Sequence, residues 1–268
     1  HLGRKESPQE LFESLMIITL TTDFGQRDSF VGAMKGVILG IAPAVEIVDL
    51  AHGLAAGDIR GGAFALMTAM PYFPAGTIHI AVVDPGVGSA RRAIAIRSRH
   101  AILLGPDNGV LSWAIRGETS PEIRSVESAW MMLPRVSATF HGRDLFAPAA
   151  AWLARGREFA ELGPELSAFQ RLTWPAPIPA GEGWKTEVVH VDVYGNAITA
   201  LSAEQAIGML YVTVCGGQRI PFQPFYSAVP KGSPLAVLGS SGFVEIAINQ
   251  GNAAKELCLA PGSQVSVE

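Results

Sequence analysis

Acidic side chains recur where apolar, β-branched runs of this chain end. MIITLT at 16–21 leads into TTDFG with Asp23, VEIVDL at 45–50 into DLAH with Asp49 and His52, and TIHIAVV at 77–83 into VVDPGVG with Asp84. The carboxyl ends of strands in an open parallel sheet line the crevice where ligands bind, so acids placed there can meet a substrate. A single strand-end Asp more often caps the turn or helix that follows. Three in succession point to a site, with Asp49 the best explained as structural.

Three further stretches carry chemistry. In VVDPGVGSARR, Gly86 and Gly88 permit close backbone approach, and Arg91 follows Asp84 across a tight loop. The loop could bind phosphate, although it lacks the GK[ST] ending of a P-loop and is a poor dinucleotide fingerprint; a plain hairpin with a surface Arg accounts for it equally well. TFHGRDLFAP holds Phe140, His141 and Arg143, with Asp144 expected to cap a helix. His141 reads as a structural histidine unless it meets Asp84 and Arg91 in space. HVDVYGNAIT supplies Asp192, Tyr194 and Asn196, for which a hairpin with Gly195 and Asn196 at its tip is a competing explanation.

The elements that must position these groups follow from periodicity. Phe30, Met34, Val37 and Ile41 recur at helical spacing behind an expected N-cap at Asp28, and Ile59, Ala63, Leu66 and Met70 do so behind Asp58. With the three runs read as buried strands, the order is βαβαβ, which predicts parallel strands joined by right-handed crossovers. Further strands are expected at 93–97 and 101–105, then a helix over 144–155 bent or shifted by Pro148. The Pro- and Gly-rich TWPAPIPAGEGW at 173–184 reads as a linker. It separates an α/β domain at 16–172, a largely parallel sheet flanked by helices, from a smaller β-rich domain at 185–268 with one helical candidate at SAEQAIG. Residues 1–15 read as an extension outside the fold.

The 268 residues are 49% hydrophobic and 16% charged, with net charge −4. That composition supports a folded core and lacks the basic footprint nucleic acid demands, so a small-molecule partner is expected. No apolar run reaches bilayer-spanning length, and the polar start lacks the apolar stretch of a signal peptide. Cys215 and Cys258 have no metal-ligand spacing and are expected to be buried, reduced thiols, which fits the cytoplasm.

TTDFG, VVDPGVGSARR, GPDNGVL, TFHGRD, DVYGN and GFVEIAINQGNAA occur in this order. In them the chain closely resembles the S-adenosyl-L-methionine (SAM) hydroxide adenosyltransferase family, relatives of the fluorinases and chlorinases, over about residues 16 to 268. The resemblance implies hydrolysis of SAM to adenosine and L-methionine without a metal or other cofactor. It further implies a homotrimer whose active sites lie between the N-domain of one subunit and the C-domain of the next. Asp84, Arg91 and His141 would hold the attacking water or hydroxide, and Asp23 would accept the ribose hydroxyls. Asp192 would meet the substrate's amino group, Asn196 would read the adenine edge, and Phe140, Tyr194 and Tyr226 would pack around the nucleoside. FYSAV departs from the family pattern at Phe225 and Ala228, and AHGLAAGD near Ala56 and Gly57. In the halide branch a Tyr stands at the position of Asp84 and a Ser at that of Gly142. A carboxylate at Asp84 repels a halide and accepts a hydrogen bond from water, which favours hydrolysis. The alternatives are a halide-dependent adenosyltransferase, a nucleoside-binding protein with negligible turnover, and a metal-dependent nucleotide hydrolase.

Overall fold

Short runs rich in β-branched and aliphatic residues build the first sheet: β1 (Ile17–Thr22), β2 (Glu46–Ala51), β3 (Thr77–Val82), β4 (Ala93–Arg97), β5 (Ala101–Pro106) and β6 (Glu122–Ser125). The strand order is β2-β1-β3-β5-β4-β6, with β2, β1, β3 and β5 parallel and β4 antiparallel to both β5 and β6. This computed structural model describes residues 16–268, so the 1–15 extension lies outside the described residues. The chain divides into two units, the first ending at Leu172 and the second spanning Thr173–Glu268.

Helices α1 (Phe30–Ile41) and α3 (Ala147–Ala154) share one core with the sheet, where Met34, Ile38 and Ala150 meet Ile18, Leu20 and Ile80. A second core gathers Leu66 of α2 (Ile59–Ala69) with Val83, Leu103 and Leu111. Asp58 caps α2 as expected, accepting from Gly61 N at 2.8 Å. Asp28 does not cap α1, because the helix begins one residue later and its N-cap is Ser29, without a side-chain cap bond. β2 departs from the expectation of a buried strand: it is one of the sheet's two edge strands and is only partly covered.

The second unit contains β7 (Ile178–Ala180), β8 (Gly183–Val191), β9 (Ala197–Ser202), β10 (Tyr211–Thr213), β11 (Arg219–Pro221), β12 (Pro234–Leu238), β13 (Phe243–Ile248) and β14 (Gln264–Val267). They form an antiparallel sheet in the order β11-β10-β14-β8-β9-β13-β12, with β7 added to β8. A bridge from Phe222 to Ala236 draws its ends toward closure, which shields edge strands that would otherwise template aggregation. SAEQAIG forms turns rather than a helix, and a short helix α4 (Ala253–Glu256) follows β13. Both cysteines are free but exposed, contrary to expectation: Cys215 enters a Gly-Gly turn and Cys258 sits at φ 54° after α4. Among the described residues no helix is long and apolar enough to cross a membrane.

Candidate active site

β1 and β3 are neighbours in parallel register, Thr22 opposite Val82, so the loops carrying Asp23 and Asp84 leave the same edge of the sheet. Asn108 Nδ2 donates to Val83 O at 2.8 Å and steadies the start of the second loop. That loop then turns tightly, with Ser89 Oγ donating to Gly86 O at 2.6 Å. Gly88 has φ 76°, and a Cβ there would lie 2.2 Å from Ala138 O. Only glycine lets the 84–91 loop come so close to the segment that delivers Phe140 and His141.

The approach brings three side chains together. Arg91 Nε donates to both carboxylate oxygens of Asp84, at 3.0 and 2.9 Å, and Nη2 also contacts Asp84. The same Nη2 lies 2.6 Å from His141 Nδ1. The Arg91 and Asp84 side chains are 10% and 4% exposed, so this is a partly desolvated, charge-assisted network rather than a solvated surface pair. A guanidinium is a donor only, so Nδ1 must accept, and the proton of a neutral imidazole rests on Nε2. Burial and the Arg91 charge hold the His141 pKa below its usual value, against the opposing pull of Asp84 and Asp144. The site therefore presents a neutral imidazole with an N–H donor.

The turn after His141 is a π-turn over Gly142–Phe146 running into α3, with Pro148 in the first turn of α3. Asp144 is not the expected N-cap. The wider turn carries it into the interior, fully buried, where it accepts from Ser137 N at 2.8 Å and from Arg143 Nε at 2.5 Å. Asp144 thereby anchors the segment preceding His141.

Asp23 accepts from Gly57 N at 2.7 Å, where Gly57 has φ 74°. Next to Asp23, Phe24 meets Phe140 edge-on at 5.8 Å, and Phe30 meets Phe140 at 5.3 Å. These rings tie the Asp23 loop to the His141 segment. Thr22 Oγ1 and His52 Nδ1, 2.8 Å apart, brace the loop from beneath, and Gly25 N donates to His52 O at 2.7 Å. His52 Nε2 lies 3.1 Å from Asp49 Oδ1 but off hydrogen-bond geometry, and Asp49 pairs with Lys35 at 2.6 Å. Asp49, expected to be structural, thus has a partner within the fold in Lys35 of α1.

In the second unit, Asp192, Tyr194 and Asn196 occupy the β8–β9 turn. Asp192 Oδ1 accepts from the backbone of Tyr194 and Asn196, both at 2.9 Å, and Oδ2 from Asn196 Nδ2 at 3.0 Å. The hairpin at this turn leaves room for a pocket, because these three residues and Tyr226 line one cavity of about 620 Å³, within the size range of small-molecule sites. Sequence reasoning missed several residues of this wall, among them Ser240, Ser241 and Glu245. Ser240 and Ser241 belong to the β12–β13 turn, and the Ser241 hydroxyl is buried without a hydrogen-bond partner. Glu245 is 6% exposed and accepts from Tyr226 OH at 2.6 Å. An acid interrupting an aliphatic strand, FVEIAI, was the available signal. Among the described residues, no group of three or more His, Cys, Asp or Glu could hold a metal ion.

Residues 18–163 match the SAM hydroxide adenosyltransferase N-terminal domain, and residues 186–266 its C-terminal domain. The chain belongs to this family. An (R)-S-adenosyl-L-methionine hydrolase of Salinispora arenicola is 41% identical over 259 residues, covering 93% of this chain and 97% of its own. One of Thermus thermophilus is 41% identical over 256 residues, covering 91% and 96%. A more distant fluorinase of an Actinoplanes species is 27% identical, covering 94% and 97%. A crystal structure from Thermotoga maritima has a TM-score of 0.88 at 32% identity, covering 94% of this chain and 99% of that one. Within the SAM hydroxide adenosyltransferase family, this chain is thus nearer to proteins named hydrolases than to one named a fluorinase.

Proposed function

We propose that this chain is an enzyme that hydrolyses SAM to adenosine and L-methionine by in-line attack of water or hydroxide on the ribose 5′ carbon. The observation that carries this reading is the contact of Asp84, Arg91 and His141, three polar groups from two separate loops. In this reading the Nε2–H of His141 and the carboxylate of Asp84 orient the nucleophile, and the Arg91 guanidinium favours hydroxide character in it. Methionine departs as a neutral thioether, and the balance is SAM⁺ plus water giving adenosine, methionine and one proton. Holding the reacting atoms in line is worth about 7–11 kcal/mol when alignment is good.

Asp23 accepts the ribose hydroxyls, and Phe140 packs against the nucleoside. Asp192 takes the amino group, Asn196 the adenine edge, and Tyr194 and Tyr226 supply further ring surface. In this reading the chain works as a cytoplasmic homotrimer in which neighbouring subunits complete each site. It needs no metal or redox cofactor, since the sulfonium already provides a neutral leaving group.

The halide-dependent alternative is disfavoured at Gly142. A Cβ there would lie 3.1 Å from Met34 Sδ, 3.3 Å from Phe24 Cε2 and 3.4 Å from Phe140 Cε2, leaving little room for an anion-holding serine. Product analysis after incubation with SAM, with and without chloride or fluoride, tests the reading. Adenosine and methionine in equal amounts under all conditions support hydrolysis. A 5′-halo nucleoside would establish the halide reaction, and SAM binding without any product would establish a sensor.

A further inference from the structure

Glu245 is an acid in a strand whose residues are all buried, opposite Ile198 of β9 and Val237 of β12. Among the described residues no cation pairs with it. Burial pushes its pKa up, as does the charge of Asp192. A carboxylate kept in such surroundings at a cost in desolvation calls for a specific partner. Its partner is the phenol of Tyr226, which donates at 2.6 Å. Room for the other oxygen comes from Gly239, where a Cβ would lie 2.8 Å from Glu245 Oε2. Tyr226 is 45% exposed and sits on a three-residue helical turn. The hydrogen bond to the carboxylate beneath tethers this partly exposed side chain.

We infer that Glu245 is a positioning residue of the ligand cavity, setting the Tyr226 ring as a wall against which a nucleoside packs. The inference rests on reading that cavity as the nucleoside site, and it adds a residue with no role in that reading. Glu245 acts on binding through Tyr226 and takes no part in the chemical step.

The test measures adenosine binding by calorimetry, and KM and kcat for SAM, in the wild type and in E245L, E245Q, Y226F and E245L/Y226F, with melting temperatures as a control for folding. Removing the tether is expected to weaken adenosine binding and raise KM by about tenfold in E245L and in Y226F, with kcat changed less than about twofold. The double variant is expected to be no worse than either single one, because both remove the same bond. E245Q keeps an acceptor for the phenol and is expected to recover most of the loss. Additive losses in the double variant, E245Q as impaired as E245L, unchanged adenosine affinity in E245L, or a wild type that does not bind adenosine would each overturn the inference. A wild type that binds adenosine but does not turn over SAM would sink the hydrolase reading while the variant comparison still decides the role of Glu245.

Discussion

Arg91 Nη2 faces His141 Nδ1 at 2.6 Å while Asp84 holds the same guanidinium through Nε. The position of the imidazole therefore depends on an ion pair formed within a single loop. Arg91→Lys keeps the charge but loses the planar fork that serves both neighbours. It is expected to lower kcat by about 10²–10³-fold with little change in SAM affinity, comparable to removing one preorganised donor. Steady-state kinetics combined with calorimetric SAM binding checks this.

His141 is expected to titrate below its ordinary value of 6.5. Protonation would place an N–H on Nδ1 against the Arg91 guanidinium, so turnover is expected to fall as pH drops through that lowered pKa and to be flat above it. Arg91→Gln removes the repelling charge. Imidazole NMR titration is expected to show the His141 pKa moving upward in that variant.

Gly88→Ala would push a methyl into Ala138 O at a φ that L-residues rarely adopt. The expected result is a loss of about 1–3 kcal/mol in unfolding free energy, or displacement of the 84–91 loop with loss of turnover. Chemical denaturation and activity, measured together, distinguish the two. Wild-type values for both would remove Gly88 from the account.

His79 links stability to pH. It is fully buried, with Nδ1 2.7 Å from Thr19 Oγ1 and the ring edge-on to Phe73, and burial lowers its pKa to about 4. A histidine depressed in the folded state takes up its proton more readily when unfolded. Its contribution is therefore complete above pH 6.5 and is lost as pH falls from there toward 4, by about 3 kcal/mol at most. His79→Gln is expected to flatten that part of a urea-denaturation pH profile.

The parallel strands and their terminal acids were legible because buried strands leave dense β-branched runs and because topology forces their ends to one edge. The meeting of Asp84, Arg91 and His141 was not legible from spacing, since Arg91 and His141 lie fifty residues apart; motif order supplied it. The Asp28 and Asp144 caps failed because capping preference acts locally. A helix start one residue later decided the first, and the π-turn that buries Asp144 decided the second. Glu245 escaped notice because strand periodicity assigns an acid to the solvent face, and only the fold shows it beneath Tyr226.

The central claim is that solvent oxygen, oriented by Asp84, Arg91 and His141, becomes the 5′ hydroxyl of adenosine. Turnover of SAM in oxygen-18 water, followed by mass analysis of the adenosine, measures this directly. One labelled oxygen at the 5′ position per turnover is predicted, with label incorporation slowed in step with kcat in Asp84→Ala and His141→Ala. Adenosine formed without label, or labelling that proceeds at the wild-type rate in both variants, would contradict the account.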